Sequence, residues 1–360
     1  MKNIFVTGFY GTGSSAVIDL LCEFDGVDIA IGKRYEHSIF LGQSCLLDLY
    51  QRLFGTMSNR MIQDRAINDF IDEMERQNNY DFGWYGSYKK LFGSKVIDAV
   101  YEFVDSISSE VKDNAMAHAK GVRFSPVHAV LQIGAAVLKG YKITKLGRKY
   151  CYDGKTVRYL TATEDEFIAA AKKFVDTYFG LCAKEETEIY DHVIFPEQCG
   201  AMKSIFTNEK LIIVDRDPRD IYFSSYYVWN TVRCGRQKAP FPDGIEAFCK
   251  TWKTTHELTL KNADCNRIKL VRFEDLIYKY DETVKDVADF CGLDLSRHVN
   301  KGKIFVPSQS IKNTQVFLKS QEFGKENEIL ERELAEYLYD FPFRTETPID
   351  DVIDTGEVVG

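Results

Sequence analysis

The sequence predicts a three-layer α/β/α protein, a short parallel sheet covered by helices on both faces, with a mostly helical insertion. Three apolar runs carry this prediction: residues 4–6, 211–214 and 268–273 are typical of buried strands. Each run is followed by a turn and then by a helical pattern. Strands that alternate with helices favour parallel pairing, because each helix returns the chain to the same edge of the sheet.

The first and third units show this arrangement clearly. The first strand ends near Gly8, and residues 14–24 follow with helical periodicity. One face of that helix is apolar and carries Ala16, Val17, Leu20, Leu21 and Phe24. The third run leads into a helix through Phe290, and Gly292 is a suitable C-terminal cap for it.

A long polar and aromatic stretch, about 45–185, separates the first unit from the second. Helical patterns occur in it at 60–78, 96–118 and 164–181. We interpret this stretch as an insertion or lid subdomain within a single domain, 1–345. The acidic residues 346–360 lack aromatic side chains and predict a flexible tail.

Composition limits the classes of partner. A net charge of −8 argues against general affinity for nucleic acid or anionic membranes, which requires a basic field. The nine cysteines form no CxxC pair and no zinc-site spacing, so we expect reduced thiols, a cytoplasmic location and no metal. A strand starts almost at the N-terminus, so we expect no signal peptide. The longest apolar stretch, 127–138, is shorter than the ~20 residues that span a bilayer, and we expect no membrane insertion. The oligomeric state stays open.

The first motif is the glycine-rich segment 8–15, GFYGTGSS. It lies between a strand and a helix, where a phosphate-binding loop belongs. Glycines let backbone N–H groups turn inward, and the helix N-terminus adds partial positive charge at the same point. Ser14 and Ser15 add hydroxyl groups. The alternative is a glycine-rich turn that binds nothing.

The spacing of this segment matches the ATP-type loop GxxxxGK[ST] with one departure, because Ser14 stands where that loop has Lys. The Lys reaches the β and γ phosphates of a nucleoside triphosphate. Its absence favours a site for a single phosphate. A small-molecule kinase of related fold is therefore the second choice among enzymes.

The second motif is RDPRD at 216–220, followed by Ser224. It begins at the carboxyl end of the apolar strand 211–214, the edge where ligands of open α/β sheets bind. Arg216 can donate two hydrogen bonds to one phosphate. A helix from 221 onward would place Ser224 about two turns beyond Arg216, so that both hold that phosphate. We place Arg219 outward. The alternative is a surface cluster of ion pairs.

Together with two later segments, these motifs resemble the sulfotransferases that use 3′-phosphoadenosine 5′-phosphosulfate (PAPS). Segment 8–15 resembles the 5′-phosphosulfate loop, x-x-[KR]-[ST]-G-[ST]-[ST], whose core is matched by TGSS at 12–15. Segment 211–224 resembles the 3′-phosphate motif, in which an Arg and a Ser eight positions later hold the phosphate. VRFEDL at 271–276 and FCGL at 290–293 resemble the family's YEDL and FxGL segments.

The resemblance implies a fold like that of the P-loop nucleotide kinases. It also implies transfer of a sulfuryl group from PAPS to a hydroxyl, or less favourably an amine, with release of 3′,5′-diphosphoadenosine. SQSIKNT at 308–314 resembles a late loop that closes over the adenosine, although a polar surface loop is an equal alternative. The implied donor-binding residues are Gly11, Thr12, Gly13, Ser14, Ser15, Arg216, Ser224, Phe273, Lys312 and Asn313.

The chain departs from the family at Gly11, where the loop usually has Lys or Arg to stabilise the leaving group. Another cation must replace it, or the protein is a non-catalytic nucleotide-binding regulator. GKRYEHSIF at 32–40 is the expected source. Lys33 or Arg34 would offset charge on the sulfuryl oxygens.

The same segment resembles KEPHFF of some glycan sulfotransferases, in which the Glu is the general base. This resemblance favours a bacterial carbohydrate sulfotransferase. By that similarity Glu36 or His37 removes the acceptor proton. We favour Glu36 and a carbohydrate acceptor on this resemblance alone. The alternative is a solvated charged loop.

Residues 139–158 contain the densest basic stretch and predict a hairpin around Asp153-Gly154. Its cations are Lys139, Lys142, Lys145, Arg148, Lys149, Lys155 and Arg158. They would suit an anionic acceptor such as an acidic glycan. A solvated hairpin face is the alternative.

Overall fold

The computed structural model describes residues 2–32, 35–112, 123–124, 130, 134, 152–153, 156–225, 244–319 and 324–344. The chain divides into two compact units. The first comprises the described parts of Met1–Glu36 and Ala183–Gly360, and the second those of His37–Cys182. The second unit occupies the region in which we predicted an insertion, 45–185.

The described strands, in chain order, are β1 (Lys2–Gly8), β2 (Val27–Ile29), β3 (Ser108–Lys112), β4 (Arg123–Phe124), β5 (Tyr152–Asp153), β6 (Thr156–Leu160), β7 (Thr187–Asp191), β8 (Lys210–Asp215) and β9 (Ile268–Arg272).

The described α-helices are α1 (Ser14–Leu21), α2 (Ser38–Leu41), α3 (Leu46–Phe54), α4 (Arg60–Asn79), α5 (Tyr88–Phe92), α6 (Lys95–Ile107), α7 (Glu164–Cys182), α8 (Pro218–Phe223), α9 (Ile245–Asn262), α10 (Asp275–Tyr278), α11 (Tyr280–Cys291), α12 (Pro307–Ser310) and α13 (Gly324–Glu333). Short 3₁₀ helices cover Pro196–Lys203, Leu295–Arg297, Ile311–Asn313, Val316–Lys319 and Ala335–Tyr337.

The first unit is built on a five-stranded parallel sheet with the order β2-β7-β1-β8-β9. β1 lies at its centre, with Ile4 opposite Ile189 of β7 and Val6 opposite Ile212 of β8. After β1 the chain forms the edge strand β2 and later β7 between β2 and β1, and it then crosses to β8 and β9 on the other side of β1. The loops that follow β1 and β8 therefore meet at the carboxyl edge, where the strand order reverses.

Both faces of this sheet are covered by helices. On one face of the sheet, a buried cluster that includes Val6 and Val17 joins the strands to α1 and α11. On the other face, Phe5 contacts Phe206 with ring centroids 5.3 Å apart. Trp252 of α9 lies on the same side as Phe9, and the centroids of the two rings are 6.3 Å apart. The predicted three-layer α/β fold is confirmed.

Two strands of the sheet, β2 and β7, had no counterpart in the prediction. β2 has only three residues, and one of them is the exposed Asp28. β7 is fully buried but contains two carboxylates, so it lacks an apolar run. One of these carboxylates, Glu188, accepts the backbone N–H of Glu185 at 2.6 Å, which compensates its burial.

The second unit is mostly helical and contains two small antiparallel pairs. β3 pairs with β6, with Ser108 opposite Leu160, and β4 pairs with β5. The hairpin predicted around Asp153-Gly154 is wrong for the described strands, because those on either side of this turn pair with earlier segments instead. The helix predicted at 96–118 ends at Ile107, since Ser108 turns into β3.

Over the described parts of both units, no helix combines the length and the apolarity needed to cross a bilayer. The cysteines in those parts are free thiols.

Candidate active site

The loop between β1 and α1 depends on glycine. Gly11 and Gly13 have φ values of +75° and +90°, in the left-handed region that residues with a Cβ rarely adopt. A Cβ on Gly13 would lie 2.7 Å from the ring of Phe273, so the bare backbone also lets that ring pack against the loop. The loop thus delivers the start of α1, with Ser14 partly buried and Ser15 exposed, to the carboxyl edge of the sheet.

Thr12 shapes this loop from within. Its hydroxyl donates to the carbonyl of Val214 at 2.7 Å, and its backbone N–H donates to the carbonyl of Phe9 at 3.0 Å. The side chain is 1% exposed. Both donors of Thr12 are therefore engaged with the protein, so this residue ties the loop to β8, while the serines that follow face outward.

Arg216 follows β8 and reaches back to the loop. Its Nη1 donates to the carbonyl of Gly11 at 3.2 Å, and its Nη2 donates to the carbonyl of Asn313. The guanidinium lies over the ring of Phe273, 5.0 Å from the centroid. Its Nε is buried and has no hydrogen-bond partner among the described residues. A buried donor left in this way is costly, and an anion would satisfy it.

These groups border one cavity of about 280 Å³. Its lining includes Gly13, Ser15, Arg216, Phe273, Phe305 and Asn313. Segments that are distant in sequence, the loop after β1, the end of β8 and the turn at Ile311–Asn313, therefore share one cleft. Lys312 is partly buried in the same turn.

Ser224 caps the C-terminal end of α8 and is partly buried. The helix begins earlier than predicted, at Pro218, because the Asp217 side chain accepts the N–H of Arg219 at 2.9 Å and caps it.

The outward placement of Arg219 is wrong. Arg219 is 9% exposed and donates to both carboxylate oxygens of Asp217, at 2.9 and 2.8 Å. Its guanidinium lies over the ring of Phe317, 4.2 Å from the centroid. The charged sequence around Arg219 could not predict its burial, because its apolar partner Phe317 lies about a hundred residues later in the chain. Arg219 fastens the C-terminal segment to α8.

Two further buried carboxyls support the motif around Arg216. Asp220 accepts the backbone N–H of Gln315 at 2.9 Å, and burial raises its pKa to about 7 despite the opposing charge of Arg216. Glu274 accepts the backbone N–H of Asp217 at 2.7 Å, and burial likewise raises its pKa to about 7. Glu274 thus holds the backbone directly after Arg216, and Asp220 holds the segment that follows Asn313.

A second cluster lies beyond β7, the neighbour of β1. Glu36 forms a parallel bridge with Asp191, the last residue of β7. Asp191 Oδ1 lies 2.6 Å from Nδ1 of His192. The backbone N–H of His192 donates to the carbonyl of Val6 at 3.0 Å, which places this residue beside the end of β1. Glu36, Asp191 and His192 thus meet at the same carboxyl edge as the phosphate loop.

The charges of this cluster perturb one another. Burial raises the pKa of Glu36, His192 lowers it and Asp191 raises it, so that the pKa is higher than usual overall. Burial lowers the pKa of His192, but the hydrogen bond with Asp191 and the charges of Asp191 and Glu36 outweigh it and raise this pKa. A carboxylate and an imidazole that both have raised pKa values are a suitable acid–base pair.

Sequence inspection missed His192, although an Asp-His pair directly after a buried strand was the available signal. His37, by contrast, opens the second unit and is 0% exposed. Its Nδ1 lies 2.9 Å from the Tyr178 hydroxyl, and burial lowers its pKa to about 3. This environment disfavours His37 as a base. Lys33 and Arg34 lie outside the described residues.

Residues 195–335 match the family model of the sulfotransferase domain. Over this segment, which is less than half of the chain, the protein is similar to sulfotransferases. The matched segment contains Arg216, Phe273 and Asn313, and it excludes the loop at 8–15. Transfer of a sulfuryl group is the activity of the family.

Solved structures of low identity are similar to this chain. The sulfotransferase domain of the Synechococcus PCC 7002 olefin synthase is 12% identical with a TM-score of 0.40, and the alignment covers 95% of this chain and 96% of that one. A sulfotransferase from Mycobacterium avium is 11% identical with a TM-score of 0.38, over 96% of this chain and 78% of that one. A search of curated proteins gives no match.

Proposed function

We propose that the protein transfers a sulfuryl group from PAPS to an acceptor hydroxyl, most favourably that of a carbohydrate. The observation that carries this proposal is the position of Arg216, buried against the phosphate loop with Nε unsatisfied by any described residue. The start of α1 and the Arg216 guanidinium border the same cavity. Two separate anion-binding features beside one cavity suit a nucleotide that carries phosphate on both the 5′ and 3′ positions.

The residues around the cavity fit such a donor. The backbone and hydroxyls at Ser14 and Ser15 face the 5′ side, in the manner of a phosphate loop. Arg216, with Ser224 and Lys312, takes the 3′-phosphate. The ring of Phe273 is flat, apolar and already covered on one side by Gly13, so it offers packing area to the adenosine.

When bound, PAPS supplies the sulfuryl group, and 3′,5′-diphosphoadenosine is the leaving group. Glu36 accepts the proton of the attacking hydroxyl, and its raised pKa makes it a stronger base than an ordinary carboxylate. Asp191 holds the His192 ring by Nδ1 and favours its cationic form, which stabilises negative charge that develops nearby.

Gly11 stands where the loop of known sulfotransferases usually has Lys or Arg, so another residue must supply that positive charge. Lys33 and Arg34 immediately precede Tyr35 and Glu36 in the chain, and we assign this role to one of them. His192 adds a titratable group of raised pKa at the carboxyl edge of the sheet.

Two measurements test the proposal. Calorimetry should show tighter binding of 3′,5′-diphosphoadenosine than of AMP or ATP, and equal affinity for AMP would mean that the 3′-phosphate site is wrong. Turnover of radiolabelled PAPS with a panel of hydroxyl acceptors, read by the mass of the added sulfuryl group, tests catalysis. Tight binding of 3′,5′-diphosphoadenosine without turnover of any acceptor would favour a nucleotide-binding regulator.

A further inference from the structure

The turn between α4 and α5, residues 80–87, exposes aromatic rings that folding does not use. Its sequence is YDFGWYGS. Tyr80, at the base of the turn, is 64% exposed, and Trp84, at its tip, is 52% exposed. Two exposed aromatic rings within one turn of eight residues offer apolar area to a ligand.

The turn is rigidly braced. The N–H of Ser87 donates to the carbonyl of Tyr80 at 2.7 Å, and the N–H of Phe82 donates to the carbonyl of Tyr85 at 3.1 Å. The N–H of Gly83 donates to Oδ1 of Asp81 at 2.9 Å. The backbone is therefore held in one conformation, and a ligand would not have to order it.

Packing behind the turn fixes the rings as well. Phe82 and Tyr85 stack with centroids 4.7 Å apart, and the guanidinium of Arg76 lies 4.2 Å from the Phe82 centroid. The ring centroids of Tyr85 and Trp84 lie 6.4 Å apart. The outward rings are thus presented on a stacked aromatic base.

The size and chemistry of this surface limit what it can bind. A stable protein partner needs about 20–30 residues on each side, far more than one turn of eight residues. The side chains of Asp81, Lys89 and Lys90, close to the two rings in sequence, are also exposed. A ligand that suits them has a small apolar face and a rim of hydroxyl groups, which is the chemistry of a pyranose ring.

We infer that residues 80–87 form a saccharide-binding turn, in which Trp84 and Tyr80 stack on the apolar faces of pyranose rings. Asp81 accepts hydroxyl protons, and Lys89 and Lys90 favour an anionic sugar over a neutral one. The identification of this saccharide as the acceptor rests on the proposed function. The binding itself does not depend on catalysis.

Calorimetry of the full chain with four oligosaccharides tests the inference: cellohexaose, chitohexaose, mannohexaose and a hyaluronan hexasaccharide. We expect binding of at least one, tightest for hyaluronan. Trp84→Ala should weaken it by about tenfold or more, the loss of roughly one ring-stacking contact. Met57→Ala, which removes an 84% exposed apolar side chain in the same unit, should leave it unchanged.

Absence of binding to all four sugars, or wild-type binding by Trp84→Ala, would overturn the inference. Trp84→Phe, which keeps a ring, should retain most of the affinity and separates ring loss from misfolding. Affinity for 3′,5′-diphosphoadenosine, measured on the same samples, should be unchanged in every variant. If the wild type does not bind 3′,5′-diphosphoadenosine, the proposed donor is refuted, but the saccharide-binding result remains valid.

Discussion

The guanidinium of Arg216 donates a hydrogen bond to the carbonyl of Gly11 at 3.2 Å, across 205 positions of the sequence. The carbonyl belongs to the residue at which the family's loop cation is missing. The side chain that follows β8 therefore contacts the loop that follows β1, and a phosphate bound at either place would be close to Arg216.

Replacement of Arg216 by Ala should weaken the binding of 3′,5′-diphosphoadenosine by about 2–4 kcal/mol, the usual effect of truncating one side of a buried charged contact. AMP, which lacks the 3′-phosphate, should lose much less affinity. Calorimetry with both nucleotides gives the comparison, and Arg216→Lys is the charge-preserving control. Equal losses for the two nucleotides would contradict the assignment of Arg216 to the 3′-phosphate.

Replacement of Arg219 by Ala should act on stability. It leaves the fully buried Asp217 carboxylate without its bidentate partner, and breaking such a pair costs about 3–5 kcal/mol. Urea denaturation should show that loss, while the remaining folded protein keeps most of its affinity for 3′,5′-diphosphoadenosine. A variant as stable as the wild type would show that the Asp217–Arg219 pair does not fasten the C-terminal segment.

Glu36→Gln should lower kcat by about 10²–10⁴-fold, the usual effect of removing a general base. Affinity for 3′,5′-diphosphoadenosine should stay near that of the wild type, because the role proposed for Glu36 concerns the acceptor and not the nucleotide. His37→Asn should lower kcat much less, since the His37 side chain is buried. Steady-state kinetics with labelled PAPS measure both.

His192→Asn is the matched comparison for Glu36→Gln. It removes the cation but keeps a polar side chain next to Asp191, and we expect a smaller loss of kcat than for Glu36→Gln. A larger loss would transfer the role of base from Glu36 to His192.

The Asp220 carboxyl should make the protein less stable as the pH rises. Burial raises its pKa in the folded state from 3.8 to about 7. Between those two values the folded protein keeps a proton that the unfolded chain has released, so the free energy of unfolding falls with pH. Asp220→Asn keeps an acceptor for the N–H of Gln315 but cannot titrate. Its free energy of unfolding, measured from pH 4 to pH 8, should decline less than that of the wild type, and parallel curves would disprove this contribution.

Glu23 should position one wall of the cavity. Its carboxylate accepts the backbone N–H groups of Ile304 and Phe305, both at 3.0 Å, and lies 2.7 Å from Nε2 of His298. Glu23→Ala should loosen residues 304–305 and weaken the binding of 3′,5′-diphosphoadenosine by about tenfold, with kcat at saturation nearly unchanged. Glu23→Gln, which keeps an acceptor oxygen, should restore most of the affinity. Wild-type affinity in Glu23→Ala would exclude this role.

The sequence by itself determined the units in which local chemistry decides the structure. The strand, glycine-rich turn and helix at 4–24 could be predicted from the sequence. Each depends on residues that are close in the chain: an apolar run, glycines that allow positive φ, and an apolar face with helical spacing. The position of Arg216 directly after a buried strand likewise placed it at the binding edge. The order of the motifs then indicated the resemblance to sulfotransferases.

Only the tertiary structure decided which charged side chains are buried and which are paired. Arg219 faces inward because Phe317 covers it, and His37 is enclosed by Tyr178, both contacts between residues far apart in the sequence. His192 became a candidate only when β7, a strand with two carboxylates, proved to lie beside β1. Burial and electrostatic environment are properties of the assembled chain, and they set the pKa values on which the site depends.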